Sequence, residues 1–316
     1  MTGRAGHKMD ISVILFRRFT ERFDQLSSHL PALENVEEHQ SGGVYFRLYL
    51  PAGAVSDVIL IYHGGGVNAD AGYAIPARQI SALGAVCVCL VDIRGHGRSS
   101  GPKGDVTSPQ QIWRDVDTVL DAITDRFSGV RIHLLGHSSG SGMLINYFTC
   151  HAPRYKADSL ILLAPEFGPF APAPIIRTGA TPFSSVNRLP FIVNALTQGK
   201  LWGRRYAVKL HFPEEVLTAR PDFAEAYSVN MANALTPRQP ARQLAALPLP
   251  VTVLLPECDE LADSRQVAAF VEGCANQNIT VRQIKNSNHL ESVFDASDAI
   301  RHHLCSVNSR ADPQER

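Results

Sequence analysis

No Cys-x-x-Cys pair, no basic run longer than two residues and no apolar run of bilayer-spanning length occurs in this 316-residue sequence. Each absence excludes something. Without a Cys-x-x-Cys pair, a zinc ribbon or a thioredoxin-like redox centre has no support. Thirty basic and thirty acidic residues cancel, so no net field draws the chain to nucleic acid or an anionic membrane. The apolar run 11–16 is far shorter than the roughly eighteen residues of a membrane span. It is followed at once by Arg17, Arg18, Glu21 and Arg22, and it lacks the longer apolar core and cleavage site of a signal peptide. It predicts an amphipathic helix to about Leu30. The apolar face of that helix can dock on the domain or touch a membrane surface, and docking is the expectation. No internal repeat or low-complexity segment is found.

Six cysteines are present. Cys87 and Cys89, two apart in a strand-like run, share one face. All six read as buried thiols, which suits a reducing compartment and a cytoplasmic location.

What the chain does have is a rhythm. Residues 44–50 alternate, with Val44, Phe46 and Leu48 on one side and Tyr45, Arg47 and Tyr49 on the other. That pattern predicts a half-exposed antiparallel strand ended by Pro51. Continuous apolar runs at 57–63, 85–92, 130–135 and 159–164 predict strands covered on both faces. Helical patterns lie between them at 73–83 and 105–127, the second with Ile112, Val116, Val119, Leu120 and Ile123 on one stripe, and a third begins at Ser139. Strand and helix alternating in this way argue a mostly parallel sheet with helices on both faces.

The rhythm breaks at Pro165 and resumes with a strand at 247–255, a helix at 264–275, a strand at 279–284 and a helix at 290–305. The expected organisation is therefore an N-terminal helical extension (1–40), an α/β core (41–165 and 250–308), a helical cap inserted at 166–249 and a polar, unstructured tail (309–316). Phe167, Phe170, Ile175, Ile176, Phe183, Leu189, Phe191, Ile192 and Trp202 make the insertion apolar. They either pack it on the core or line an acyl pocket.

Gly136-His137-Ser138-Ser139-Gly140 sits between a strand and a helix, the context in which G-x-S-x-G forms a sharp turn that exposes its serine. Side chains at Gly136 and Gly140 would collide with the neighbouring strand and helix. A serine hydroxyl needs a base, and the base an orienting acid. In an open parallel sheet these gather at the carboxyl ends of strands. His289 follows the 279–284 strand. Glu257, Asp259, Glu260 and Asp263 share the loop after 247–255, and one of them is expected to turn inward. Glu257 is too close to the strand, and Asp263, with Gln266 three residues on, reads as a helix N-cap. Asp259 is left. His63-Gly64-Gly65-Gly66 can turn amides toward a developing oxyanion, with Gly65 and Ser139 as donors. His137 reads as structural. His96 between Arg94 and Arg98 reads as part of a glycine-rich loop tied by Asp92, not as an anion site or a dinucleotide motif.

Together, Tyr62–Gly66, Asp92–Gly101, Gly136–Gly140, Asp259–Ser264 and His289 resemble the α/β-hydrolase superfamily, over roughly Val44 to Cys305. Within it the chain is similar to the monoacylglycerol lipase/lysophospholipase branch, also grouped with serine aminopeptidases. It departs from the branch after the nucleophile, where Ser139 replaces a usual methionine and Ser141 a further glycine. The resemblance implies a serine hydrolase that uses Ser138, His289 and Asp259 without metal or organic cofactor. It implies a small, hydrophobic ester as substrate, with a lipid-like acyl group. Thioesterase, amidase or C–C hydrolase chemistry would use the same residues, and a hydrolase-fold receptor would keep them without fast turnover.

Overall fold

The computed structural model describes residues 11–30, 35–82, 84–172, 175 and 183–311. Leu83, Ile176 and the tail beyond residue 311 lie outside them. An eight-stranded sheet forms the frame. Its strands are β1 (Val36–Ser41), β2 (Val44–Tyr49), β3 (Asp57–Tyr62), β4 (Val86–Val91), β5 (Arg131–His137), β6 (Ser159–Leu163), β10 (Val251–Pro256) and β11 (Ile279–Ile284), in the order β1-β2-β4-β3-β5-β6-β10-β11. Only β2 pairs antiparallel with its neighbours; the other pairings are parallel.

Strands that are apolar on both sides need cover on both sides. On one face lie α3 (Pro109–Arg126), α4 (Ser139–Cys150) and α9 (Ser264–Gly273), packed through Val116, Leu144 and Val267. On the other lie α2 (Ala74–Ser81), the short α10 (Ser292–Asp295) and α11 (Ser297–Ala311), packed through Ile75, Phe294 and Ile300. The N-terminal helix α1 (Ile11–His29) docks on this second face. Phe19 stacks on Phe294 at 4.7 Å, and Arg18 Nε lies 2.8 Å from the fully buried Glu291 carboxylate.

The segment between β6 and β10 is inserted into this frame. It contains α5 (Arg188–Leu196), α6 (Glu214–Ala219), α7 (Val229–Leu235) and α8 (Pro240–Ala245), and also a three-stranded antiparallel sheet of β7 (Ser184–Val186), β8 (Tyr206–Leu210) and β9 (Ala226–Ser228).

The structure departs from the sequence expectation at five points. The insertion is not purely helical, because its strands, three to five residues each, are too short to show a period and pair across long gaps. The 1–40 extension is not wholly helical either: Val36–Ser41 is an edge strand, whose polar sequence suits a position where exposed and half-buried residues alternate. Strand β2 is buried on both faces, since Tyr45 and Tyr49 are covered as well as Phe46 and Leu48. The last helix divides at Ala296, and its second half runs on through Ala311. Of the cysteines, Cys87 and Cys89 are buried in one cluster, whereas Cys150, Cys258 and Cys305 are exposed, so the thiols no longer argue for a compartment.

Candidate active site

Strand β5 ends in a turn where Ser138 has φ +53° and ψ −118°. This strained backbone lifts the side chain out between strand and helix. Two close approaches make it possible. A Cβ on Gly136 would stand 2.4 Å from the Gly140 carbonyl, and one on Gly140 would stand 2.6 Å from the Tyr62 carbonyl of β3. The turn is pinned by Ser138 N–H donating to the Leu163 carbonyl at 2.9 Å.

Two other strand ends bring partners to Ser138. His289, after β11, has Nε2 3.0 Å from Ser138 Oγ and Nδ1 2.9 Å from Asp259 Oδ2. Asp259, after β10, is 2% exposed and takes the Leu261 and Ala262 amides on its other oxygen at 2.8 and 3.0 Å. Burial alone would raise its pKa, but the His289 ring and these amides hold it below the ordinary aspartate value. Glu257 faces solvent and accepts the Asn286 amide, and Asp263 caps α9 by accepting from Arg265 and Gln266.

Above the serine runs the loop 63–66. Gly64 N–H donates to the Tyr73 hydroxyl at 2.8 Å, and Gly66 N–H to the Tyr227 hydroxyl at 2.5 Å. The Gly65 N–H between them has no protein partner among the described residues. The Ser139 N–H, at the first position of α4, has no intrahelical acceptor. These are the two amides the sequence pointed to: Ser139 follows Ser138 directly, and a Cβ on Gly65 would stand 3.4 Å from Ser139 Oγ.

Residues 53–291 match the family model described as serine aminopeptidase, S33. The chain belongs to that family. The monoglyceride lipase of Mus musculus is 24% identical over 265 residues, 83% of each chain. A soluble variant of monoglyceride lipase from Saccharomyces cerevisiae, solved with a substrate analog, superposes with a TM-score of 0.64 at 15% identity, covering 88% of this chain and 96% of that one. The monoacylglycerol lipase of Paleococcus ferrophilus gives 0.59 at 16% identity, covering 84% and 97%. The protein is thus a monoglyceride-lipase-like α/β-hydrolase, a serine hydrolase.

This S33 hydrolase carries supports that the sequence did not reveal. Glu260 also turns inward, its carboxylate accepting the His289 N–H at 2.8 Å. Glu166, after β6, is exposed; crowding by protein raises its pKa, and the nearby His289 ring offsets part of that rise. Burial alone would lower the His289 pKa, but Asp259, Glu260 and Glu166 outweigh it and raise the ring to about 9.

Each tyrosine on the glycine loop is itself held by a buried neutral histidine. His96 Nδ1–H donates to the Arg94 carbonyl at 3.2 Å, so its Nε2 accepts from the Tyr227 hydroxyl at 2.9 Å. His137 Nε2–H donates to the His289 carbonyl at 3.3 Å, and its Nδ1 accepts from the Tyr73 hydroxyl at 2.7 Å. Burial lowers both rings to about 3, which keeps them neutral. Arg94 pairs with Asp115 and Arg98 with Glu38, while Asp92 takes the Ala69 and Arg98 amides. The 92–101 loop is therefore a brace.

A second Asp–His–Ser alignment exists at the other end of the sheet. Asp57 Oδ1 lies 3.0 Å from His133 Nε2, whose Nδ1 is 2.7 Å from Ser159 Oγ. Both His133 and Ser159 are fully buried at the amino ends of their strands, so this group joins strands and meets no substrate. Among the described residues no cluster of His, Cys, Asp and Glu could hold a metal, and no helix is long and apolar enough to cross a membrane.

Proposed function

We propose that the enzyme hydrolyses a carboxylic ester with a hydrophobic acyl group through an acyl-enzyme on Ser138. The observation that carries this reading is the His289 ring bridging Ser138 Oγ and Asp259 at the carboxyl ends of β5, β10 and β11. His289 takes the Ser138 proton as Oγ adds to the carbonyl, and Asp259 holds Nδ1–H and offsets the imidazolium charge. The Gly65 and Ser139 amides stabilise the tetrahedral oxyanion, each worth on the order of 10²–10³ in rate. His289 then hands the proton to the leaving alkoxide and later activates the water that deacylates Ser138.

The hydrophobic acyl preference rests on the insertion and on the lipid-acting relatives. Phe183 and Tyr227 reach from the insertion to the glycine loop, each within 3.8 Å of where a Gly65 Cβ would stand. Large apolar side chains on the insertion, among them Phe170, Leu189, Ile192 and Leu196, are more than half exposed. Such a surface suits a substrate delivered from a lipid aggregate. A chain-length series of p-nitrophenyl esters and monoacylglycerols, run beside matched thioesters and amides, tests the reading. Esters of medium or long acyl chains are expected to be turned over fastest. Faster cleavage of the matched thioester or amide contradicts the bond type, and a preference for acetyl contradicts the acyl preference.

A further inference from the structure

The elbow holds one polar group that this reaction leaves unused, the Ser139 hydroxyl. Ser139 is 6% exposed, and its Oγ has no hydrogen-bond partner among the described residues. Buried hydroxyls are nearly always paired, so an unpaired one beside a nucleophile points to a partner supplied by the substrate. A Cβ on Gly65 would stand 3.4 Å from Ser139 Oγ. The hydroxyl therefore lies against the loop residue whose amide is unpaired, on the side of the elbow where the carbonyl oxygen must sit.

The neighbouring donors are already engaged. The Gly64 and Gly66 amides go to tyrosine oxygens, and the Tyr227 proton goes to His96. Beside the elbow, Gly65 N–H, Ser139 N–H and Ser139 Oγ–H are left without a protein partner among the described residues. The last two belong to one residue, and a serine amide and hydroxyl can face a single oxygen together. The position at the N-terminus of the twelve-residue α4 further favours negative charge there.

We propose that Ser139 Oγ–H donates a third hydrogen bond to the oxyanion formed when Ser138 adds to the substrate carbonyl. This rests on the reading of Ser138 as nucleophile. The hydroxyl gives up no proton; it only orients one toward an oxygen that gains charge as the carbonyl π bond opens. The bond strengthens with that charge, so it acts on kcat more than on KM.

The test compares wild type with Ser139→Ala, which keeps the amide and removes the hydroxyl, on p-nitrophenyl butyrate. The expected result is a fall in kcat on the order of 10- to 100-fold, with KM changed by no more than about twofold. An alkyl trifluoromethyl ketone, whose Ser138 adduct carries the oxyanion, should bind more weakly by a similar factor. The melting temperature should hold or rise, because an unpaired buried hydroxyl has been removed. Ser139→Cys, nearly the same shape but a weak donor, should lose most of the same factor, and it carries the test should the alanine variant fold poorly. Unchanged kcat and ketone affinity overturn the proposal, as does a loss confined to KM, which would assign the hydroxyl to ground-state binding. Turnover surviving in Ser138→Ala would instead overturn the nucleophile reading itself, whatever Ser139 does.

Discussion

The Gly66 amide donates to the Tyr227 hydroxyl at 2.5 Å, across 161 residues of sequence. Tyr227 lies on β9 of the insertion, so the loop that would receive the oxyanion is held from outside the core. With Tyr73 and His137 on one side and Tyr227 and His96 on the other, the Gly65 amide stands between two fixed neighbours. Preorganised donors of this kind stabilise a transition state without reorganising during it.

Tyr227→Phe should therefore slow the enzyme without touching the triad. It leaves the Gly66 N–H and His96 Nε2 unpaired in a buried setting, which destabilises the fold by roughly 1–3 kcal/mol. The loss in kcat should exceed the change in KM, at about tenfold for a loosened donor. Steady-state kinetics with a thermal melt check both, and full activity in the phenylalanine variant would show that the clamp has no catalytic consequence.

The pH dependence follows from the carboxylates around His289. Only the neutral ring can accept the serine proton, and its pKa is raised to about 9. Hence kcat/KM should climb with pH through about 9, above the ordinary histidine value of about 6.5. Glu166→Gln and Glu260→Gln each remove a charge that favours imidazolium, so each should move the midpoint down. The same sign governs stability. The folded-state pKa exceeds the unfolded one, so this pairing stabilises the fold fully below the unfolded value and is lost as pH rises through about 9. A profile already flat above pH 7, unmoved by either glutamine variant, contradicts the assignment.

The two aspartates of the 256–264 loop should separate cleanly. Asp259→Asn should lower kcat on the order of 10⁴-fold by losing the charge behind Nδ1. Asp263→Asn should keep both activity and stability, because asparagine caps a helix as well as aspartate does, whereas Asp263→Ala should cost about 1 kcal/mol. The opposite pattern in activity would make Asp263 the functional acid.

The docking of α1 has its own test. Arg18 and Arg22 face Glu291, whose carboxylate is fully buried. Replacing both arginines with alanine leaves that charge without its cations. The expected loss is roughly 2 kcal/mol, below the 3–5 of a fully buried pair because both guanidiniums are partly exposed. Denaturant unfolding measures it, and Glu291→Gln in the same background should recover part of the loss.

Sequence pattern made the central sheet legible because β3, β4, β5, β6 and β10 are buried along nearly their whole length. It made Ser138, Asp259 and His289 legible because a parallel sheet collects its strand ends on one edge. It was blind where burial alternates weakly, as in β1, and where strands are three to five residues long, as in the insertion. It was also blind to pairs set by long-range packing. Nothing near Tyr227 in sequence announces Gly66 or His96, which lie 161 and 131 residues away. Glu260 was misjudged for a related reason: its partner is the His289 backbone amide, which carries no sequence signal.

Ser138 as the nucleophile is open to direct measurement. The direct measurement is intact-mass and peptide analysis after treatment with a fluorophosphonate, on wild type and on Ser138→Ala. A single adduct on the peptide bearing Ser138, absent from the alanine variant together with p-nitrophenyl ester turnover, is the predicted result. An adduct on another residue, or turnover that persists in the variant, would contradict it.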